Sequence, residues 1–307
     1  MSVIFMKPLQ IFKLGYVPPH ISLFLAITVF FASLHESNFF YEPFRAILII
    51  GISAVPVTGG IMLLNNANDV VEDRLKGREN ILTEGQINPT YVIILASFFY
   101  IISNLYVVYI SLSVKRYAFV PFLIFSLLTW WYSDKKIMKK ITGVRLKEHY
   151  IGELLTYIVS FPAFVTAFWL IFNDLDYRGL TFIFAFTFLG MFYVSIKDIK
   201  DISSDRKAGL KTIASILGPN KLLKIGCWML LPYYISFFMS VFVGILETIY
   251  LILVIPFTIF LHSSFIPFWS EDWKISVKIK SNIKVLIIST YTSLFFIAIS
   301  ALFVLLM

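Results

Sequence analysis

Nine stretches of this chain are apolar over most of the length an α-helix needs to cross hydrocarbon, about 20 residues. They fall near 21–34, 46–64, 91–111, 118–132, 151–172, 180–196, 227–246, 249–262 and 285–307, separated by short polar segments. A segment in lipid must satisfy its own backbone hydrogen bonds, so runs of this length fold as helices. Composition agrees, because 59% of the residues are hydrophobic and only 14% charged, outside the range of ordinary soluble domains. The expected fold class is all-α: a polytopic membrane protein of about nine transmembrane helices around a central cavity, forming a single domain over 1–307. Two four-helix repeats plus one helix would account for the count.

Lysine and arginine set the orientation. With nine alternating spans, only Arg45, Lys115, Arg116 and Arg178 fall on one side, and the other 22 of the 26 fall opposite. This asymmetry predicts a cytoplasmic N-terminus and an external C-terminus, in the cell membrane. The first span carries no small-residue cleavage pattern and is expected to stay as an anchor. The net charge of +8 follows the same topology rule, with no nucleic-acid recognition motif beside it, so nucleic acid is not an expected partner. Anionic lipid or a phosphorylated substrate accounts for that charge better. The one cysteine, Cys227, excludes an intrachain disulfide or a cysteine-built metal centre, and the four histidines, expected near span ends, have no ligand spacing.

Two acidic clusters stand out against this background, since carboxylates near a bilayer are costly and usually functional. The first runs from Asn65 through Asp69 and Glu72 to Asp73 after span two; the second holds Asp198, Asp201 and Asp205 after span six. Both lie on the cytoplasmic side, four spans apart. In a helix Asn65, Asp69 and Asp73 share one face, as do Asp198, Asp201 and Asp205. Such stripes repel themselves unless a cation neutralises them. Hard oxygens without His or Cys select Mg²⁺, which typically binds one or two carboxylates together with substrate phosphate oxygens. Arg74, Lys76 and Arg78 follow the first cluster, Lys197, Arg206, Lys207 and Lys211 frame the second, and the loop after span four adds Lys135, Lys136, Lys139 and Lys140. Carboxylates with Mg²⁺ and surrounding cations point to a diphosphate ligand. Lys136 is the loop cation chosen for a diphosphate contact; the positive-inside rule accounts for most of the others.

These residues resemble the UbiA superfamily of intramembrane prenyltransferases. Its first motif, Asn-Asp-x-x-Asp-x-x-x-Asp, is similar to Asn65-Asn66-x-x-Asp69-x-x-x-Asp73, with Asn66 replacing an aspartate. Its second is matched by Tyr193, Lys197, Asp198, Asp201, Asp205, Arg206 and Gly209, and Tyr132-Ser133 with Lys136 resembles a third motif in the loop after span four. The Arg-Pro usual near the first span is missing, and Gly15 to His20 stand there instead.

The resemblance implies Mg²⁺-dependent transfer of a polyprenyl group from a prenyl diphosphate donor to a lipophilic acceptor within the membrane. That acceptor would be an aromatic quinone precursor or a glycerol-phosphate lipid. Asp69, Asp73, Asp198, Asp201 and Asp205 would carry catalysis and, with Asn65, hold two Mg²⁺ ions. Arg78, Lys136, Lys197, Arg206, Lys211, Tyr132 and Tyr193 would contact the diphosphate. Two other readings stay open on the sequence. A cation transporter would place its acids near mid-membrane rather than at span ends. A CDP-alcohol phosphotransferase would need a contiguous Asp-x-x-Asp-Gly-x-x-Ala-Arg motif, which is absent.

Overall fold

The computed structural model describes residues 10–15, 27–30, 32–33, 43–197, 199, 202–207, 209–275 and 280–306. Most of the first expected span lies outside them, as do Asp198 and Asp201 of the second cluster. Among the described residues, seven helical segments are long and apolar enough to cross a membrane, and Phe119–Ser133 is a shorter apolar helix. The all-α polytopic expectation holds.

In chain order the helices are α1 (Pro43–Asn68), α2 (Val70–Leu75), α3 (Pro89–Ser113), α4 (Phe119–Ser133), α5 (Met138–Thr142), α6 (Tyr150–Phe172) and α7 (Tyr177–Lys197). They continue with α8 (Ile202–Lys207), α9 (Ile213–Leu217), α10 (Pro219–Phe242), α11 (Val254–Phe260), α12 (Ile266–Ser270) and α13 (Lys280–Leu306). A 3₁₀ turn, Leu146–Glu148, precedes α6. The principal packings are α1 on α3, α7 on α10, α4 on α6 and α6 on α7.

Both faces of these helices are apolar, as helices placed between protein and lipid require. On α3, Val92, Ala96, Tyr100, Ser103, Val107 and Ile110 are buried, while Tyr91, Ile94, Phe98, Ile101, Leu105, Val108 and Leu112 form an exposed stripe at i+3 and i+4 spacing. In water that stripe would be an aggregation surface; in a bilayer it is the lipid face.

Glycines in the spans serve close packing of the helices. Helix α1 runs through Pro56 without interruption. Gly60 lets α3 approach, because a Cβ there would lie 3.0 Å from the Tyr100 ring and 3.2 Å from the Ala96 carbonyl. At Gly190 of α7 a Cβ would sit 2.4 Å from the ring of Phe161 on α6, closer than real contacts allow. The eighth span is composite and longer than its apolar pattern suggests, reaching from Thr248 to Ser270. A 3₁₀ turn, α11, a π-turn (Leu261–Phe265) and α12 follow one another, with Pro256 and Pro267 removing amide donors that a continuous α-helix would use. His262, expected at a span end, therefore lies within the span.

Candidate functional site

The first acidic cluster forms where α1 gives way to α2. Asp69 is the joint between them, with φ −98° and ψ 13°, yet helical hydrogen bonding runs through it: Asp69 N–H donates to the Asn65 carbonyl at 2.9 Å, and Asp73 N–H to the Asp69 carbonyl at 2.8 Å. The one-face spacing of Asn65, Asp69 and Asp73 is thereby kept. Asn68 ties the joint to the loop after α4, accepting from Lys135 N–H at 3.1 Å. Asp134 organises that loop, receiving the amides of Lys136, Ile137 and Met138, the last being the first residue of α5.

Two cations from before α6 close over Asp69. Arg145 donates from Nη2 to Asp69 Oδ1 at 2.6 Å, and its Nη1 lies 3.6 Å from Glu72 Oε1. Lys147 donates from Nζ to Asp69 Oδ2 and, at 3.0 Å, to Asn65 Oδ1. Burial pushes the Asp69 carboxyl up, but Lys147 and Arg145 outweigh it and hold the group well below the usual carboxylate range. Asp73 is also buried and pairs with Arg78 Nη1 at 2.9 Å. There burial prevails, aided by the nearby Asp69, and raises the carboxyl above its ordinary value against the pull of Arg78.

The second cluster is described at Asp205, which is buried on α8. Its Oδ2 accepts from Thr212 Oγ1 at 3.2 Å, and its Oδ1 lies 3.4 Å from Lys76 Nζ. Lys76 follows α2 directly, so one ion pair joins the two clusters, and α2 packs against α8. At this end of the bundle Asp205 therefore lies beside the segment that follows the first cluster.

The expected diphosphate residues are spread more widely. Lys136 is exposed and donates from Nζ to Thr90 Oγ1 at 3.0 Å, at the start of α3. Arg206 donates from Nε to the Ser215 carbonyl at 3.0 Å. The side chains of Lys197 and Lys211 are exposed. Tyr132 accepts from Tyr157 OH at 3.0 Å and lies 3.4 Å from Glu153 Oε1, whereas Tyr193 pairs with Tyr291 of α13.

The segment from Arg145 to Glu153 is the part that sequence reasoning did not single out as a unit. Arg145 and Lys147 hold the first cluster. The Glu148 carbonyl accepts from Lys211 N–H at 3.2 Å, and buried Glu153 accepts from Ile213 N–H at 2.7 Å, beyond the second cluster. One short stretch thus holds the first acidic segment and the chain just beyond the second. In sequence its cations are indistinguishable from the other basic residues of the same loop.

Asn66 is turned away from these carboxylates. Its Nδ2 donates to the Leu14 carbonyl at 2.9 Å, a bond that an ionised aspartate has no proton to make.

Comparison with known proteins gives a consistent answer. A protein from Archaeoglobus fulgidus, itself uncharacterised, is 31% identical over 286 residues, covering 90% of this chain and 93% of its own length. Among solved structures, a digeranylgeranylglyceryl phosphate synthase superposes with a TM-score of 0.67 at 17% identity, covering 96% of this chain and 99% of its own. A UbiA homologue from Archaeoglobus fulgidus bound to GPP and Mg²⁺ superposes with a TM-score of 0.65 at 17% identity, covering 97% of this chain and all of its own. At those identities the solved structures establish the shared fold. A sequence model of the UbiA prenyltransferase family matches residues 22–276, and on that match the chain belongs to the UbiA prenyltransferase family.

Proposed function

We propose that this protein transfers a polyprenyl group from its diphosphate to a lipophilic acceptor at the end of the bundle where α2 meets α8. The observation that carries the reading is the junction of the two acidic segments through Lys76 and Asp205, with Arg145 and Lys147 on Asp69 and Arg78 on Asp73.

The residues fit Mg²⁺. Among the described residues no group of three or more His, Cys, Asp or Glu converges on one point, and Asp198 and Asp201 lie outside them. Mg²⁺ does not require such a cage, since it commonly takes one or two carboxylates plus phosphate oxygens. Asn65 Oδ1 and Asp69 Oδ2 already converge on one cationic nitrogen, that of Lys147. Asn65, Asp69 and Asp73 are assigned to one ion, and Asp198, Asp201 and Asp205 to a second. Mg²⁺, when bound, neutralises the diphosphate and favours its departure. The GPP, DMAPP and Mg²⁺ bound to UbiA homologues from Archaeoglobus fulgidus support Mg²⁺ and a prenyl diphosphate as the ligands.

The chain's own groups do the rest. Arg78, Lys136, Lys197, Arg206 and Lys211 supply positive charge on the side where the diphosphate leaves. Tyr132 and Tyr193 orient the donor. The apolar bundle, rich in Phe, keeps water from the allylic carbon. The bond from that carbon to the diphosphate oxygen breaks with its electron pair going to diphosphate; the acceptor then bonds to the carbon and loses a proton.

The acceptor class is an aromatic quinone precursor or a glycerol-phosphate lipid. The whole chain acts as one domain in the cell membrane, with its N-terminus and acidic segments cytoplasmic and its C-terminus external. The test is transfer of a radiolabelled prenyl diphosphate by purified protein in detergent, beside Asp69→Ala and Asp201→Ala. Metal-independent turnover, or full activity in both variants, overturns the reading.

A further inference from the structure

The two cations on Asp69 are built differently. Arg145 exposes none of its side chain and lies between two carboxylates, Asp69 and Glu72. Lys147 is 16% exposed, and its ammonium sits at the end of a flexible four-carbon stem. Its backbone is held firmly in the 3₁₀ turn before α6: Gly152 packs so tightly on Leu146 that a Cβ there would lie 2.6 Å from the Leu146 carbonyl oxygen. Any movement of Lys147 is therefore in its side chain.

Its position is also telling. The ammonium binds Asn65 Oδ1 and Asp69 Oδ2 together, the oxygens assigned above to a divalent ion. A divalent ion on those oxygens would stand close to the ammonium, and the two cations would repel each other. Leaving the carboxylate costs Lys147 its partner unless another anion is nearby.

We infer that Lys147 is a displaceable internal cation, holding the Asn65 and Asp69 oxygens in the metal-free protein and passing to a diphosphate oxygen when a divalent ion takes its place. The inference rests on the metal and diphosphate reading proposed above. Its consequence is coupling. Metal alone must expel Lys147 and binds weakly, while metal and diphosphate together give every charge a partner, so each tightens the other equally. Arg145 stays on Asp69 throughout and keeps the carboxylate in place.

The test is Mn²⁺ binding to the purified full-length protein, read from the free-ion paramagnetic resonance signal with and without inorganic pyrophosphate. Lys147→Met is the variant, with Lys147→Gln as a second substitution that keeps a hydrogen-bond donor. Wild type is expected to bind Mn²⁺ alone weakly and to tighten at least tenfold with pyrophosphate. Lys147→Met is expected to bind Mn²⁺ alone at least tenfold more tightly than wild type and to gain much less from pyrophosphate. In thermal unfolding, its metal-free form should melt below wild type and recover with Mn²⁺. Equal or weaker Mn²⁺ binding by both variants, with binding still lost in Asp69→Asn, overturns the displacement and leaves the metal site standing. Mn²⁺ binding that does not depend on Asp69 in any variant overturns both.

Discussion

Arg145 Nη2 donates to Asp69 Oδ1 at 2.6 Å across 76 positions of sequence, and neither side chain is open to solvent beyond 6% of its surface. Removing one partner of a sealed ion pair strands the other, at a cost of about 3–5 kcal/mol. Lys147 still faces Asp69 if Arg145 is lost, but Glu72 then loses one of its two cations, Lys135 at 2.5 Å being the other. Arg145→Met should therefore destabilise the detergent-solubilised protein by about 3 kcal/mol. The unfolding midpoint compared with wild type checks this.

Asn66 stands where the family pattern has an aspartate, and its amide serves the fold. Asn66→Asp places an ionised oxygen against the Leu14 carbonyl in place of a donor. The expected result is a loss of about 1–3 kcal/mol and no gain in metal affinity, although the substitution restores the family pattern. Mn²⁺ titration and thermal unfolding of the one variant test both halves.

The Lys76–Asp205 pair joins the two acidic segments, and both side chains are largely buried. Lys76→Met should lower the rate of prenyl transfer about tenfold or more, with KM for the diphosphate rising, since a mispositioned site loses rate steeply. Steady-state kinetics over a range of donor concentrations separates the two effects.

On the other side of the bundle, Arg116 donates from Nε to Asp174 Oδ1 at 2.7 Å. That hydrogen bond and the guanidinium charge hold the Asp174 carboxyl below its usual value. A lowered carboxylate pKa gives stability that is full above the unfolded value, about 3.9, and is lost as pH falls through the lowered one. Asp174 is exposed, so screening keeps the contribution under about 1 kcal/mol. Arg116→Gln should melt slightly below wild type by a constant amount between pH 5 and pH 8, the gap closing only below about pH 4; midpoints measured across that range are the check.

The spans were legible because lipid demands long apolar helices and excludes charge, which writes topology directly into composition. The second cluster stood out in the sequence because its carboxylates recur at helical spacing, and of these the structure describes Asp205. Arg145 and Lys147 were not. They sit among the sixteen residues between α4 and α6, which also carry Lys135, Lys136, Lys139 and Lys140, and only the turn before α6 decides which of these reach Asp69. Asn66 was equally opaque, because its partner is a backbone carbonyl 52 positions away, which no pattern records. The eighth span outran its apolar pattern because His262 and two serines interrupt it, while the helix continues through a π-turn to Ser270.

The most direct measurement of the central claim is pyrophosphate release by purified wild type and by Asp205→Asn, each given a prenyl diphosphate and an extract of membrane lipids, with Mg²⁺ or with a chelator. The account predicts release coupled to prenylated lipid in wild type with Mg²⁺ only, and a loss of at least a hundredfold in Asp205→Asn, about 2.7 kcal/mol of barrier. Release that persists with the chelator, or an Asp205→Asn rate equal to wild type, would contradict it.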